Sequence, residues 1–223
     1  MMTMRSKKTV FILLAGGNSS RMGGTLKKEI APLSDGVSAL ERIVSVVNTI
    51  PEIDHLQAVY HADYHDETKR AIQQFTRSSS LSPAGGTRQE SVAIALNALS
   101  EINPFYVLIH DGARPWVDAD LILRIMHQLV HHDAVVPVIP VTDSLKRVNQ
   151  QGMIIEECRR EEYALAQTPQ AFRFEKIWDV HQRGKHFVCT DDVSLYSMVL
   201  GEHAITVEGD VRNKKITYQG DIL

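Results

Sequence analysis

Cysteine is scarce in this chain: Cys158 and Cys189 are the only two, and they form no metal-ligand spacing. That scarcity fits a reducing cytoplasm, the expected location. No apolar run approaches the roughly 20 residues that a spanning helix needs, so no membrane partner is expected. A basic excess is also missing. The formal net charge of -3 argues against a bulk nucleic-acid binder, although a local basic pocket remains compatible with it. The basic start is followed only by the short apolar run 10–15 before Gly16 and Gly17, too brief for a signal peptide. No internal repeat is present, and Ser78-Ser79-Ser80, the one low-complexity stretch, is too short to act as a linker. The 223 residues suffice for one sizeable core, so residues 1–223 read as a single domain with an excursion.

What is present alternates. Residues 10–15 form a continuous apolar run, as in a strand buried on both faces. Leu40, Ile43, Val44 and Val47 recur at helical spacing within 38–48. A strand at 56–60, a helix at 66–75 and a loop at 78–86 follow, then a helix from Gln89 with Val92, Leu96 and Leu99 on one stripe. A strand at 106–109, a helix carrying Leu121, Ile122, Ile125 and Leu129, and a strand at 134–139 complete the series. This order predicts a mostly parallel α/β sheet, Rossmann-like, with helices on both faces. Between about 140 and 164 two extended runs flank Asn149-Gln150-Gln151-Gly152, a hairpin turn signal. With few large apolar residues, this insert is expected to protrude as a β-arm. Helices at 174–181 and 191–200 and a strand at 204–208 close the pattern.

Chemistry concentrates after the first strand. Ala15, Gly16 and Gly17 open a glycine-rich loop that also holds Arg21, Lys27 and Lys28. Glycine lets the backbone approach an anion, and the cations add charge-assisted contacts to phosphate. Neither the Walker pattern nor the dinucleotide Gly-x-Gly-x-x-Gly fits any register there. A second cluster, His110-Asp111-Gly112-Ala113-Arg114-Pro115, ends another strand and falls at the same sheet edge. Asp111 reads either as a Mg²⁺ ligand or as a turn cap. Gly86, Arg88 and Ser91 lie where a loop enters a helix, suited to reading a base edge or, equally, to a cap by Thr87. Ser144 and Arg160 belong to the arm, and Lys215 is basic beside an expected final short strand.

Seven motifs in order carry a resemblance: Arg21-Met22-Gly23, Gly86-Thr87-Arg88-Gln89-Glu90-Ser91-Val92, His110-Asp111-Gly112-Ala113-Arg114-Pro115, Pro140-Val141-Thr142-Asp143-Ser144-Leu145-Lys146, Gln167-Thr168-Pro169-Gln170-Ala171-Phe172, Thr190-Asp191-Asp192 and Val207-Glu208-Gly209-Asp210. Over nearly its whole length the chain resembles the 2-C-methyl-D-erythritol 4-phosphate cytidylyltransferase family. The resemblance implies CTP, a sugar-alcohol phosphate and Mg²⁺ as ligands, and a homodimer exchanging β-arms. It implies Arg21, Lys28 and Lys215 as catalytic cations and Asp111 as the metal-linked carboxylate. It further implies that Ala15, Gly16, Gly17, Gly86, Arg88, Ser91, Asp111 and Ala113 surround the nucleotide, with Ser144, Arg160 and Thr168 on the sugar phosphate. The chain departs from the family pattern at Ser19, where glycine is common, at Lys27-Lys28-Glu29, where Pro-Lys-Gln is common, and at Ser144, where threonine is usual.

The reaction implied is attack by a phosphate oxygen on the α-phosphorus of CTP, releasing pyrophosphate. A phosphate monoester, with its second pKa of about 6, is already largely ionised at neutral pH and needs no general base. The rival readings are a ribitol 5-phosphate cytidylyltransferase, a nucleotidyltransferase using another base, and a catalytically silent nucleotide-binding protein.

Overall fold

The computed structural model describes residues 7–17 and 27–222. Among them the elements run β1 (Thr9–Ala15), α1 (Ala39–Asn48), β2 (His55–Tyr60), α2 (His65–Ile72), β3 (Ser78–Pro83), α3 (Arg88–Ala98), β4 (Tyr106–Asp111), α4 (Ala119–Leu129) and β5 (Ala134–Pro140). The arm follows as β6 (Lys146–Val148) and β7 (Ile154–Glu157), then β8 (Ala164–Ala166), β9 (Gln170–Arg173), α5 (Phe174–Arg183), α6 (Asp192–Leu200) and β10 (Ile205–Glu208).

The main sheet has the order β10-β5-β9-β4-β1-β2-β3, with β8 paired to the far end of β5. Strands β3, β2, β1 and β4 are mutually parallel, and β10 is parallel to β5. Strand β9 runs antiparallel to both β4 and β5, so those two share one direction. The carboxyl ends of six strands therefore meet along one margin, the margin where open α/β sheets bind ligands. β1 alternates its side chains between two cores, as a period of two requires. Phe11 and Leu13 pack under α1, α2 and α4, whereas Val10 and Ile12 pack under α3, α5 and α6. The expected helices on both faces of a mostly parallel sheet are thus observed.

Local chemistry explains the boundaries. Ser38 caps α1 in a capping box: its hydroxyl accepts the Glu41 N–H at 3.3 Å while Glu41 Oε2 accepts the Ser38 N–H at 3.0 Å. Leu40, Ile43, Val44 and Val47 are fully buried, each contributing about 1.5–3 kcal/mol of apolar transfer. Gly16 is fixed by a close approach, since a Cβ there would lie 2.3 Å from the Ala84 Cβ.

Several expectations need correction. Residues 78–83 form strand β3, not a loop. The serines give no apolar signal because their side chains satisfy a polar ladder: His55 Nδ1 and Nε2 contact Ser78 Oγ at 2.9 Å and Ser80 Oγ at 2.6 Å. Strand β9 has no counterpart in the sequence pattern; four residues after Pro169 show no periodicity, although Ala171 and Phe172 are fully buried. Helix α2 stops at Ile72 rather than Phe75. The arm's paired segments are shorter than its extended runs, and β8 returns the chain to the sheet. No strand surrounds Lys215; the segment is irregular and anchored by the Ile216 N–H donating to the Ala113 carbonyl at 2.8 Å.

Candidate active site

Asp111 ends β4, level with Leu14 on β1, so the acidic turn and the start of the glycine loop are neighbours by register. Its turn folds tightly against β1: the Gly112 N–H donates to the Leu14 carbonyl at 2.9 Å. A Cβ on Gly112 would lie 2.7 Å from that oxygen, 3.1 Å from Leu40 Cδ2 and 3.3 Å from Cγ of the buried Glu29, so the turn admits only glycine. Lys27 is also turned inward. Its ammonium donates to the Gly17 carbonyl and stands 5.9 Å from the Tyr64 ring centre, and burial lowers its pKa against the opposing pull of Glu29 and Asp63. Lys27 therefore braces the backbone at Gly17, and Lys28 is half-buried in the turn that follows.

The Asp111 carboxylate is a charge hub. Arg88 Nε donates to Oδ1 at 3.2 Å, Lys215 Nζ donates to Oδ2 at 2.8 Å, and Arg114 Nε stands 3.9 Å from Oδ2. Burial alone would raise the Asp111 pKa, but Arg88 and Lys215 outweigh it and hold the carboxyl well below the usual range. Arg88 in turn reaches Asp192, its Nη1 donating to Oδ2 at 2.8 Å. Burial opposes the charge on Arg88, yet the two carboxylates together keep it protonated beyond its ordinary range.

Hydrogen-bond logic fixes a second chain behind the hub. A backbone carbonyl only accepts, so His110 Nε2 must carry the proton it shares with the Arg114 carbonyl at 3.1 Å. Burial lowers the His110 pKa to about 4, so the ring is neutral and Nδ1 is an acceptor. Thr168 then donates its hydroxyl proton to His110 Nδ1 at 3.0 Å while accepting the Asp111 N–H at 3.1 Å. Asn213 Nδ2 donates to the Thr168 carbonyl at 2.8 Å, and Arg114 Nη1 donates to the Asn213 carbonyl at 2.9 Å. Gln167 completes the frame, donating to the carbonyl of Asp210 at 2.8 Å. This frame holds the segment bearing Lys215 against the β4 turn.

The structure thus brings Ala15, Gly16, Gly17, Arg88, Asp111, Ala113, Thr168 and Lys215 to one margin. Thr168 supports the Asp111 backbone, a role the sequence does not suggest. Gly86 and Ser91 lie at the start of α3, but the Ser91 hydroxyl is committed to its own loop. It accepts the Gly85 N–H at 3.0 Å and donates to the Thr87 carbonyl at 2.8 Å, while Thr87 caps the helix through the Glu90 N–H at 3.0 Å. Ser144 and Arg160 are exposed on the arm, and Arg160 binds the Thr142 carbonyl at 2.6 Å and Glu161 at 3.3 Å. Among the described residues neither joins the Asp111 cluster. Arg21 lies outside the described residues, as do Ser19 and Gly23. Asp192, Gln170 and Asn213 build the site without being singled out by sequence reasoning. Asp192 and Gln170 stand within the motifs quoted above, but spacing carries no sign that they meet.

Among the described residues no helix is long and apolar enough to cross a membrane. A family model described as 2-C-methyl-D-erythritol 4-phosphate cytidylyltransferase (IspD) matches residues 9–223. The bifunctional enzyme IspD/IspF of Rhodopseudomonas palustris (strain BisB18) is 38% identical over 221 residues, covering 98% of this chain and 55% of that one. The protein of the same description from Paramagnetospirillum magneticum is 36% identical over 217 residues, 96% of this chain and 55% of that one. The chain therefore spans about half the length of these relatives. Among solved structures, 4-diphosphocytidyl-2C-methyl-D-erythritol synthase from Anaerococcus prevotii superposes with a TM-score of 0.86 at 27% identity, covering 97% of this chain and 95% of that one. The 2-C-methyl-D-erythritol 4-phosphate cytidylyltransferase of Thermus thermophilus gives 0.75 at 26% identity, over 95% and 94%. With the match running along both the sheet and its ligand margin, the chain belongs to the 2-C-methyl-D-erythritol 4-phosphate cytidylyltransferase (IspD) family.

Proposed function

We propose that the chain transfers a cytidylyl group from CTP to 2-C-methyl-D-erythritol 4-phosphate, releasing pyrophosphate. The observation that carries this reading is the Asp111 hub, which gathers Arg88, Arg114 and Lys215 beside the glycine loop. An ionised acceptor phosphate attacks the α-phosphorus; a P–O bond forms as the bond to the leaving pyrophosphate breaks. The acceptor needs no base, so the chain's task is to align two anions and neutralise the charge that builds between them. Lys215, tethered to Asp111, and Arg114, tethered to Asn213, present fixed cations to that charge. Lys28, with Arg21 outside the described residues, would add the cations that the resemblance assigns to the triphosphate.

Mg²⁺ suits the same place. Asp111 Oδ1 accepts one hydrogen bond, from Arg88 Nε, and keeps a lone pair, while no cluster of three His, Cys, Asp or Glu residues forms among the described residues. Asp111 would be the single protein ligand, with triphosphate oxygens completing the shell, the usual division for this ion. Bound there, Mg²⁺ supplies charge neutralisation to the triphosphate. A homodimer formed through the β-arm is part of the reading. The arm exposes Val148, Met153, Ile154, Ile155, Tyr163 and Leu165 at 50–65%, an apolar set that a second copy would cover. Such an exchange would also give Ser144 and Arg160 a partner's acceptor phosphate to bind.

The test is pyrophosphate release by the purified chain with CTP and Mg²⁺, run with methylerythritol phosphate and with ribitol 5-phosphate. Release with the first and little with the second is expected; the reverse preference, or binding of CTP without release, overturns the proposal. Lys28→Ala should lower turnover about a hundredfold, the scale for one preorganised contact, in a protein that still melts cooperatively.

A further inference from the structure

Helix α6 begins with two adjacent carboxylates that do different work. Asp191 caps the helix, accepting the Ser194 N–H at 2.9 Å. Asp192 points inward and is 1% exposed. Its Oδ2 accepts Arg88 Nη1 at 2.8 Å and its Oδ1 accepts His181 Nε2 at 3.1 Å. Its backbone is pinned as well, because Gln170 Oε1 accepts the N–H groups of Asp192 at 3.1 Å and Val193 at 3.2 Å. This carboxylate is thus a rigid anchor, joined through Arg88 to the Asp111 that holds Lys215.

Arg88 straddles the anchor and the hub. The preferred arrangement of guanidinium on carboxylate is two parallel N–H···O bonds from one edge of the fork. Arg88 does not adopt it: Nε makes a single, longer contact of 3.2 Å to Asp111, and Nη1 serves Asp192. Nη2, which shares an edge with Nε, is buried with no hydrogen-bond partner among the described residues. Closing that edge onto Asp111 would bring Nη2 onto Oδ2, which already holds Lys215 at 2.8 Å with Arg114 Nε 3.9 Å away, and would crowd a third cationic group against Lys215 there.

We propose that Asp192 is a positioning residue: by holding Nη1 it keeps Arg88 from closing on Asp111, and so keeps Lys215 paired with Asp111 and aimed at the reacting phosphates. The inference rests on the cytidylyl-transfer reading and names a residue through which that site is held in register. In Asp192→Asn, His181 retains an oxygen to donate to, but the amide N–H₂ faces Nη1 and drives Arg88 towards Asp111.

A double-mutant cycle tests this. Wild type, Asp192→Asn, Lys215→Ala and the double variant are compared for pyrophosphate release from CTP with methylerythritol phosphate. Asp192→Asn should lower kcat roughly 10- to 100-fold, a fraction or all of one preorganised contact, with KM for CTP within about twofold. The double variant should be no slower than Lys215→Ala, because Asp192 acts through Lys215. Multiplying losses overturn the inference, as does an unchanged Asp192→Asn. Independently of turnover, acetylation of Lys215 followed by mass spectrometry should run several-fold faster in Asp192→Asn; an unchanged rate overturns it. If Asp192→Asn does not fold, His181→Phe, which keeps an aromatic ring and removes the N–H that fixes Asp192, carries the same two readouts. An inactive wild type defeats the cytidylyl-transfer reading and leaves the acetylation comparison to decide this one.

Discussion

Replacing Thr168 with valine keeps shape and volume and removes one hydroxyl, which makes it a direct probe of the frame behind Asp111. That hydroxyl serves two buried groups, the Asp111 N–H at 3.1 Å and His110 Nδ1 at 3.0 Å. Thr168 is 4% exposed, Asp111 8% and His110 0%, so water does not replace the lost partner. Switching the His110 tautomer gives no escape, since Nε2 would then turn a lone pair on the Arg114 carbonyl. Two unsatisfied buried groups at about 1–3 kcal/mol each give a loss of roughly 2–6 kcal/mol. For a domain of this size, at about 2–4 °C per kcal/mol, that lowers Tm by roughly 4–24 °C. Thr168→Ser keeps the hydroxyl and loses only a methyl, about 1 kcal/mol. Urea melts with a common m-value measure the difference. A valine variant within about 0.5 kcal/mol of the serine variant would refute the hydrogen-bond chain.

Three further outcomes are expected. His110 has a folded pKa of about 4 against an ordinary 6.5, so between those values the unfolded chain takes up a proton that the native ring refuses. Stability is therefore fully present above pH 6.5 and falls by about 3 kcal/mol as pH drops to 4. His55, also lowered by burial, adds to that slope, so urea melts at several pH values should show a shallower slope in His110→Gln than in wild type; equal slopes refute the assignment. Gly16→Ala puts a Cβ 2.3 Å from Ala84 and should cost about 1–3 kcal/mol and weaken CTP binding, with Ala84→Gly restoring both in calorimetry. Ile154→Asp on the arm should convert a dimer to a folded monomer in sedimentation, and a wild type that sediments as a monomer would remove the arm from the proposal.

Where a segment's own pattern decides its structure, the sequence is legible. The run 10–15, the stripe Leu40, Ile43, Val44 and Val47, and Thr87 as a cap all stand where local spacing puts them. Legibility fails where the partner, not the segment, supplies the stabilisation. Ser78-Ser79-Ser80 is a strand because His55 and Gln57 on β2 satisfy the Ser78 and Ser80 hydroxyls, and nothing within three serines announces that. Likewise β9 owes its place to flanking β4 and β5. The site divides the same way. Asp111 and Lys215 stand out in the sequence as charges near a phosphate loop, but their direct contact spans 104 positions and depends on the C-terminal segment folding back through Asn213 and Ile216. Arg88, expected beside a nucleotide, is a strut between two carboxylates, a role legible only once α3, β4 and α6 converge.

The serine strand at the end of the sheet has one more consequence. An open sheet margin is a standing invitation for another chain to add a strand, and proteins that leave one exposed usually make it unrewarding. Strand β3 does so by composition: the Ser78 and Ser80 hydroxyls already engaged on β2, no broad apolar face for an intruder to cover, and Pro83 ending the run without an N–H to offer. The polarity that hides this strand from the sequence pattern is thus a safeguard against aggregation, most valuable during folding, before the rest of the sheet has closed behind it.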